Sequence, residues 1–244
     1  MIKSLIMVTV ALGSAFLFIK SGKTENLNQT DSPIVLEMFT SQSCSSCPPA
    51  DKVLGQLEQE NKNVIALSCN VTYWNHLHWE DTLSKEFCST RQRQYVRTLR
   101  SRGPYTPQVV VNGAQTMVGS RGGQIRNAIN SEITNNPVKL IDLDISDDQL
   151  IIKLPEIASD DSFALNLVQY KHSQSQSIPS GENRGRNVHY TNPVERVVSL
   201  GSWDGTSKTM DYDISELKNA KGLALLAQKN GVTGDIVAAN KIEF

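Results

Sequence analysis

The chain has little to offer a polyanion. Its 24 Lys+Arg stand against 25 Asp+Glu and no long basic block occurs, so it lacks the electrostatic footprint of a protein that grips a nucleic-acid backbone. Internal repeats and heptads are absent, which removes solenoids and coiled coils. Beyond residue 20 there are no long apolar runs, so a multi-span membrane protein is excluded. With 39% hydrophobic and 20% charged residues, disordered and collagenous chains are excluded as well. Cysteine is scarce, four in 244 residues. A chain of this length buries roughly 70–75% of the surface its unfolded form exposes and needs no disulfide merely to fold. It has room for one large domain or two small ones.

The first residues differ from the rest. Lys3 and Ser4 precede an apolar run over residues 5–19, broken only by Thr9, Gly13 and Ser14 and followed by Lys20 and Lys23. Residues 1–23 therefore read as a signal peptide or N-terminal anchor. At about 15 residues the run is short for a spanning helix, and no clean small-residue cleavage site follows it, so both alternatives stand. Either one places the body of the chain outside the cytoplasm, periplasmic or secreted, and mildly acidic once Lys3, Lys20 and Lys23 are set aside. Membrane contact is expected only through that anchor.

Export changes the meaning of the cysteines, because disulfides persist outside the cytoplasm. Cys44 and Cys47 form a tight C-x-x-C, while Cys69 and Cys88 lie apart. The run Ile34–Phe39 is almost continuously apolar, the signature of a strand buried on both faces. After it, Ala50, Val53, Leu54 and Leu57 recur at helical spacing, and Pro48-Pro49 fits a helix's first turn, where the amide is unpaired anyway. The C-x-x-C thus sits at a helix start. Val64–Cys69 is a second strand. Gln108–Asn112 and Gln115–Val118 form a hairpin about Asn112-Gly113. Ser120 is placed to cap a helix carrying Ile125, Ala128, Ile129 and Ile133. Residues 72–102 form an insert, helical from about Asp81. After Asn135-Asn136-Pro137 the character shifts to short alternating runs up to Asn240, which suggest an antiparallel sandwich or barrel. Between two of them, residues 173–187 read as a long exposed loop.

A thiol at a helix start faces unpaired amide protons and the positive end of the helix dipole, which favour thiolate. Cys44 is placed as nucleophile. Cys47, three residues on, is placed to attack a mixed disulfide formed at Cys44. Thr106-Pro107 precedes the strand beginning near Val109, a place where proline is tolerated and where an X-Pro bond is a candidate cis peptide. In the thioredoxin fold a cis-proline at such a place lies beside the C-x-x-C and helps hold the substrate backbone, and the order of elements here resembles that fold. Tyr105, Thr106, Pro107 and Trp74 are accordingly the candidate substrate-binding residues.

More narrowly, five segments resemble a bacterial secreted thioredoxin-like family, domain of unknown function 1223. They are residues 37–51, Tyr73-Trp74, Arg91-Gln92-Arg93, residues 105–113 and Gly181-Glu182-Asn183-Arg184-Gly185-Arg186. The resemblance implies a thioredoxin-like N-terminal half and a C-terminal half of unassigned role, without a substrate. The chain departs from the family's pattern at Ser43, where a glycine is usual, and at Asn70 and Thr72, where a histidine and an aspartate are expected.

The expected fold is thus an α/β thioredoxin-like N-terminal domain over residues 32–137, followed by an all-β sandwich-like domain over 138–244. The expected activity is thiol–disulfide exchange with exported protein or peptide partners, with Cys44 and Cys47 catalytic, no organic cofactor and no resident metal. For these two cysteines, a static bridge and a metal site are the alternatives. Soft thiolates bind Cu(I), which keeps an extracytoplasmic copper-binding or chaperone-like carrier as the second reading. Cys69 and Cys88 read as a structural disulfide pinning the insert, with a relay to the first pair as the alternative. Glu37, inside an apolar strand, is either a proton acceptor for Cys47 or faces a polar neighbour at an edge. His76 and His78, two apart, share no helical face and read as packing residues, while Arg91, Arg93, Arg97, Arg100 and Arg102 read as a solvated helix face. Asp51 complements the helix dipole and needs no catalytic role.

Overall fold

Seven consecutive residues, Ile34–Thr40, are buried to the last side chain and form the strand β1 around which the chain is organised. The computed structural model describes residue 27 and residues 31–77, 79–217, 220–229 and 231–244. The expected signal or anchor over residues 1–23 lies outside them. No described helix is long and apolar enough to cross a membrane.

After β1 come α1 (Pro48–Glu60), β2 (Val64–Asn70), α2 (Glu86–Thr98), β3 (Gln108–Val111), β4 (Gln115–Val118) and α3 (Gly122–Asn135). The later chain is strand after strand: β5 (Lys139–Leu140), β6 (Asp142–Ser146), β7 (Gln149–Leu154), β8 (Phe163–Tyr170), β9 (Gln174–Ser177) and β10 (Asn187–Tyr190). It closes with β11 (Val194–Trp203), β12 (Lys208–Asp213), β13 (Gly222–Lys229) and β14 (Ile236–Glu243). The first sheet has the order β2-β1-β3-β4, with β1 parallel to β2 and antiparallel to β3. A five-stranded sheet runs β11-β8-β13-β14-β5, a three-stranded one β12-β7-β6, and β10 pairs with β9.

The packing follows from the two-residue period of strands. On one face of the first sheet, Leu36 and Met38 meet Ala50, Leu54 and Leu57 of α1 and Ile125, Ala128 and Ile129 of α3. On the other, Val35, Phe39, Ile65 and Leu67 meet Cys88 and Tyr95 of α2 together with Val168, Tyr170, Ala224 and Leu226 of β8 and β13. The intervening residues of those two strands, among them Leu165, Leu167, Leu223 and Leu225, turn the opposite way and pack on Leu150 and Ile152 of β7. The central strands β8 and β13 of the five-stranded sheet are therefore buried on both faces.

This corrects the expected architecture. An α/β thioredoxin-like domain followed by an all-β sandwich-like domain is not what the chain forms. Strand predominates, the described residues hold three α-helices, and the elements make four sheets. The run Ile34–Phe39 led to an expectation of a strand covered on both faces, without saying by what. One of those faces is shared between α2 and strands arriving from the far half of the chain.

Smaller corrections follow. The hairpin loop spans three residues, since Val111 pairs with Gln115. Asn112 and Gly113 both take positive φ there, and a Cβ at Gly113 would lie 2.2 Å from the Gly234 carbonyl oxygen. The helix after β4 begins at Gly122 with Arg121 at its cap, not Ser120. The helix of the 72–102 insert starts at Glu86 rather than near Asp81. Residues 173–187 are not simply an exposed loop, because they contain β9 and the fully buried Asn183.

Candidate functional site

Cys47 occupies the cap position of α1 and Pro48-Pro49 its first turn, so no helical amide is wasted on the prolines. The turn before it is closed by the Cys47 amide, which donates to the Cys44 carbonyl at 3.1 Å, and by the Cys44 amide, which donates to Ser41 at 3.2 Å. Both cysteines are free thiols. Their exposure differs: Cys44 keeps 8% of its surface in contact with solvent and Cys47 none.

Electrostatics separate them further. The Cys44 thiol is lowered to about 6, first by its hydrogen bond with Cys47, with smaller contributions from Ser46 and Thr106 overcoming the opposing effect of burial. Burial pushes the Cys47 thiol strongly up, and its interactions with Cys44 and Asp51 push the same way. Cys44 Sγ lies 3.2 Å from Ser46 Oγ and 3.7 Å from the Thr106 carbonyl oxygen. The Thr106–Pro107 peptide is cis. The Trp74 indole Nε1 donates to Thr106 Oγ1 at 2.8 Å, which ties the aromatic segment to the same edge. Cys44, Ser46, Trp74, Leu77, Thr106 and Glu182 line a small open groove.

Two distant segments hold the loop that carries Cys44. Gln42 donates its amide to Asp81 Oδ2 at 2.7 Å and receives the Trp79 indole at 2.8 Å, while Ser43 Oγ donates to the Trp79 carbonyl at 2.7 Å. From the far half of the chain, Asn183 Nδ2 donates to the carbonyls of both Gln42 and Cys44, at 2.9 and 2.8 Å. The Ser45 amide donates to Glu182 Oε2 at 3.2 Å. Among the described residues, no group of three or more His, Cys, Asp or Glu is placed to hold a metal ion.

A family model described as a protein of unknown function (DUF1223) matches residues 35–228. The chain belongs to this family. A crystal structure of an Agrobacterium tumefaciens protein is similar with a TM-score of 0.77 at 28% sequence identity, over 88% of this chain and 96% of that one. HBP35 of Porphyromonas gingivalis is similar with a TM-score of 0.59 at 14% identity, over 91% of this chain and 77% of that one, a likeness of fold alone. No curated protein matches the chain.

In this DUF1223 member, the residues singled out by sequence fall in two places. Cys44, Cys47, Thr106, Pro107 and Trp74 come together, and Tyr105 flanks them, its carbonyl accepting from Gln92 Nε2 at 2.7 Å. Cys69 and Cys88 form a disulfide that joins β2 to α2, as read from the sequence. Glu37 does not join the cysteines. It points to the opposite face of β1, where it accepts from Arg91 Nη2 at 2.9 Å, from Arg91 Nε and from the Tyr95 hydroxyl. Of the two versions expected for Glu37, the proton acceptor beside Cys47 does not hold, while the polar neighbour does, on a central strand rather than at an edge; Arg91 is buried rather than on a solvated face. His76 is exposed and stacks on Trp74, and His78 lies outside the described residues.

The sequence reading did not give the place of Asn183 or of Asp51. Asn183 stands in the segment 181–186 that carries the family resemblance, which was the available signal. Asp51 was assigned to the helix dipole, yet it is buried and neither carboxyl oxygen meets a hydrogen-bond partner. Burial raises its pKa well above the ordinary carboxyl value, partly offset by the neighbouring Thr40 hydroxyl.

Proposed function

We propose that this chain carries out thiol–disulfide exchange on protein or peptide substrates outside the cytoplasm, with Cys44 attacking and Cys47 resolving. The observation that carries the reading is the contrast within the pair. One thiol is lowered to about 6 and borders an open groove, and the other is protonated and wholly enclosed behind it. The thiolate is the nucleophile in exchange, and a lowered pKa at a partly accessible position marks a reactive rather than an inert cysteine.

The reaction is a pair of sulfur displacements. Cys44 thiolate attacks one sulfur of a substrate disulfide, the substrate S–S bond breaks, and the released thiolate takes a proton from water. Cys47 then attacks Cys44 Sγ, which expels the second substrate sulfur and leaves a Cys44–Cys47 disulfide. Run backwards, the same steps oxidise a substrate dithiol. Trp74, Thr106 and Glu182 border the groove in which the substrate chain would lie. The Cys69–Cys88 bridge supports an oxidising compartment, where disulfides persist.

The test uses the full chain and a disulfide-bonded peptide whose reduction is followed by mass spectrometry. Wild type is expected to exchange, Cys44→Ser to lose exchange, and Cys47→Ser to accumulate a mixed disulfide at Cys44. Equal exchange by wild type and Cys44→Ser, or none by wild type, contradicts the reading.

A further inference from the structure

Resolution by Cys47 poses a chemical difficulty that the two cysteines do not solve alone. Cys47 is fully buried and burial holds it as a thiol, but only a thiolate attacks a mixed disulfide. Its proton therefore has to pass to a group inside the protein. The charged and titratable groups that interact with this region are few. Asp81 comes from the segment after β2, but its oxygens already accept from the Gln42 and Leu83 amides and from Asn70 Nδ2, at 2.7, 2.8 and 2.8 Å. Tyr190 of β10 and Tyr73 are phenols that burial keeps protonated, so neither offers a free base at neutral pH. Glu37 faces away and is committed to Arg91 and Tyr95.

Asp51 is different. It follows Cys47 by four residues, the spacing that puts two helical side chains on one side, and its amide donates to the Cys47 carbonyl at 3.1 Å. It is 1% exposed, and neither carboxyl oxygen makes a well-formed hydrogen bond, the Thr40 hydroxyl being the neighbouring donor. The hydroxyl of Tyr190, which interacts with Asp51 and both cysteines, is likewise buried without a partner. A native fold satisfies nearly all its buried polar groups, so these groups call for an explanation. Asp51 also contributes to a groove at the molecular surface lined by Lys52, Arg186 and His189.

The geometry points to Asp51 as the proton acceptor that makes Cys47 a thiolate during resolution. This role rests on the exchange reading. In the step, the Cys47 S–H bond breaks and its proton passes to the Asp51 carboxylate. The sulfur forms a bond to Cys44 Sγ, and the Cys44–substrate S–S bond breaks with its electron pair leaving on the substrate sulfur. That thiolate is protonated by water, and Asp51 returns its proton to solvent. No oxidant beyond the substrate disulfide is needed.

Stopped-flow reaction of the reduced full chain with dithiodipyridine separates the two displacements, because each releases one thiopyridone. Wild type is expected to release two, fast and then slower. Asp51→Asn should leave the first phase unchanged and slow the second by about a hundredfold near neutral pH, with its pH profile moved to the alkaline side. Asp51→Glu should restore part of the rate. A second phase in Asp51→Asn equal to wild type in rate and pH profile overturns the role of Asp51 while leaving the exchange reading standing. Absence of both phases in wild type overturns the exchange reading itself. A measurement on wild type needs no variant to fold: the Asp51 carboxyl 13C resonance should titrate at different pH in the dithiol and disulfide forms. A titration unchanged by oxidation overturns the proposal.

Discussion

Glu37 and Asp51 are both buried carboxyl groups, one on the central strand and one on the helix that covers the strand's opposite face, and their surroundings have almost nothing in common. Glu37 accepts from a guanidinium in two places and from a tyrosine hydroxyl, and Arg91 reaches on to Gln228 Oε1 at 2.9 Å. Gln228 in turn donates to Tyr95 and to the Gly234 carbonyl, at 3.1 and 2.9 Å. Every polar atom of that network draws β1, α2 and β13 together. Asp51 has no such partner. A buried carboxyl without donors costs stability, and cost of that kind is characteristic of a site that performs chemistry. The first group fastens the two halves of the chain, and the second lies beside the cysteine pair.

The contrast can be broken at Glu37 first, where the change in stability should be greatest. Arg91→Met strands a carboxylate in the shared core and should cost about 3–5 kcal/mol in urea unfolding. Adding Glu37→Leu should recover most of it. An Arg91→Met chain as stable as wild type would mean that Glu37 is no better provided for than Asp51. Asn183→Ala comes next. It leaves the Gln42 and Cys44 carbonyls without their buried donor and should cost about 1–3 kcal/mol by the same measurement. Wild-type stability in that variant would show the 181–186 segment to be incidental to the cysteine loop.

Asp51→Asn should give the smallest change and the opposite sign. The folded protein raises the Asp51 pKa, so the fold favours its neutral form. That contribution is fully present below the ordinary carboxyl value and is lost as pH rises through the folded one. The asparagine variant should therefore match wild type in acid and become the more stable of the two as pH rises. Parallel pH–stability curves would place Asp51 in an environment no different from solvent.

Local signals carried much of this molecule into the sequence. The prolines after Cys47 marked the start of α1, Thr106-Pro107 marked the neighbouring turn, and Cys69 with Cys88 had the spacing of a bridge from strand to insert. What stayed hidden was everything that depends on which surfaces meet. An apolar run such as Ile34–Phe39 states that both faces of a strand are covered, but the same pattern serves a helix or a sheet as cover. The arrival of β8 and β13 on the first sheet was therefore not legible, and with it went the pairing of Glu37 with Arg91 and the linkage to Gln228. Asn183 lies 139 residues from Cys44 in sequence, and a polar, glycine-containing segment reads as exposed whether or not one side chain turns inward. The burial of Asp51 was hidden for a related reason: an acid in a first helical turn suits the dipole, as this one does, and the sequence does not show that the turn is covered.

The unequal ionisation of the two cysteines underlies both the proposed exchange chemistry and the task proposed for Asp51. It is read most directly by alkylating the reduced full chain with iodoacetamide across a pH series and quantifying the Cys44 and Cys47 peptides separately by mass spectrometry. Thiolate is present above the pKa, so labelling of Cys44 should rise with pH through a midpoint near 6, with Cys47 unlabelled throughout the neutral range. A Cys44 midpoint near the ordinary thiol value of about 9, or equal labelling of the two cysteines at neutral pH, would contradict it.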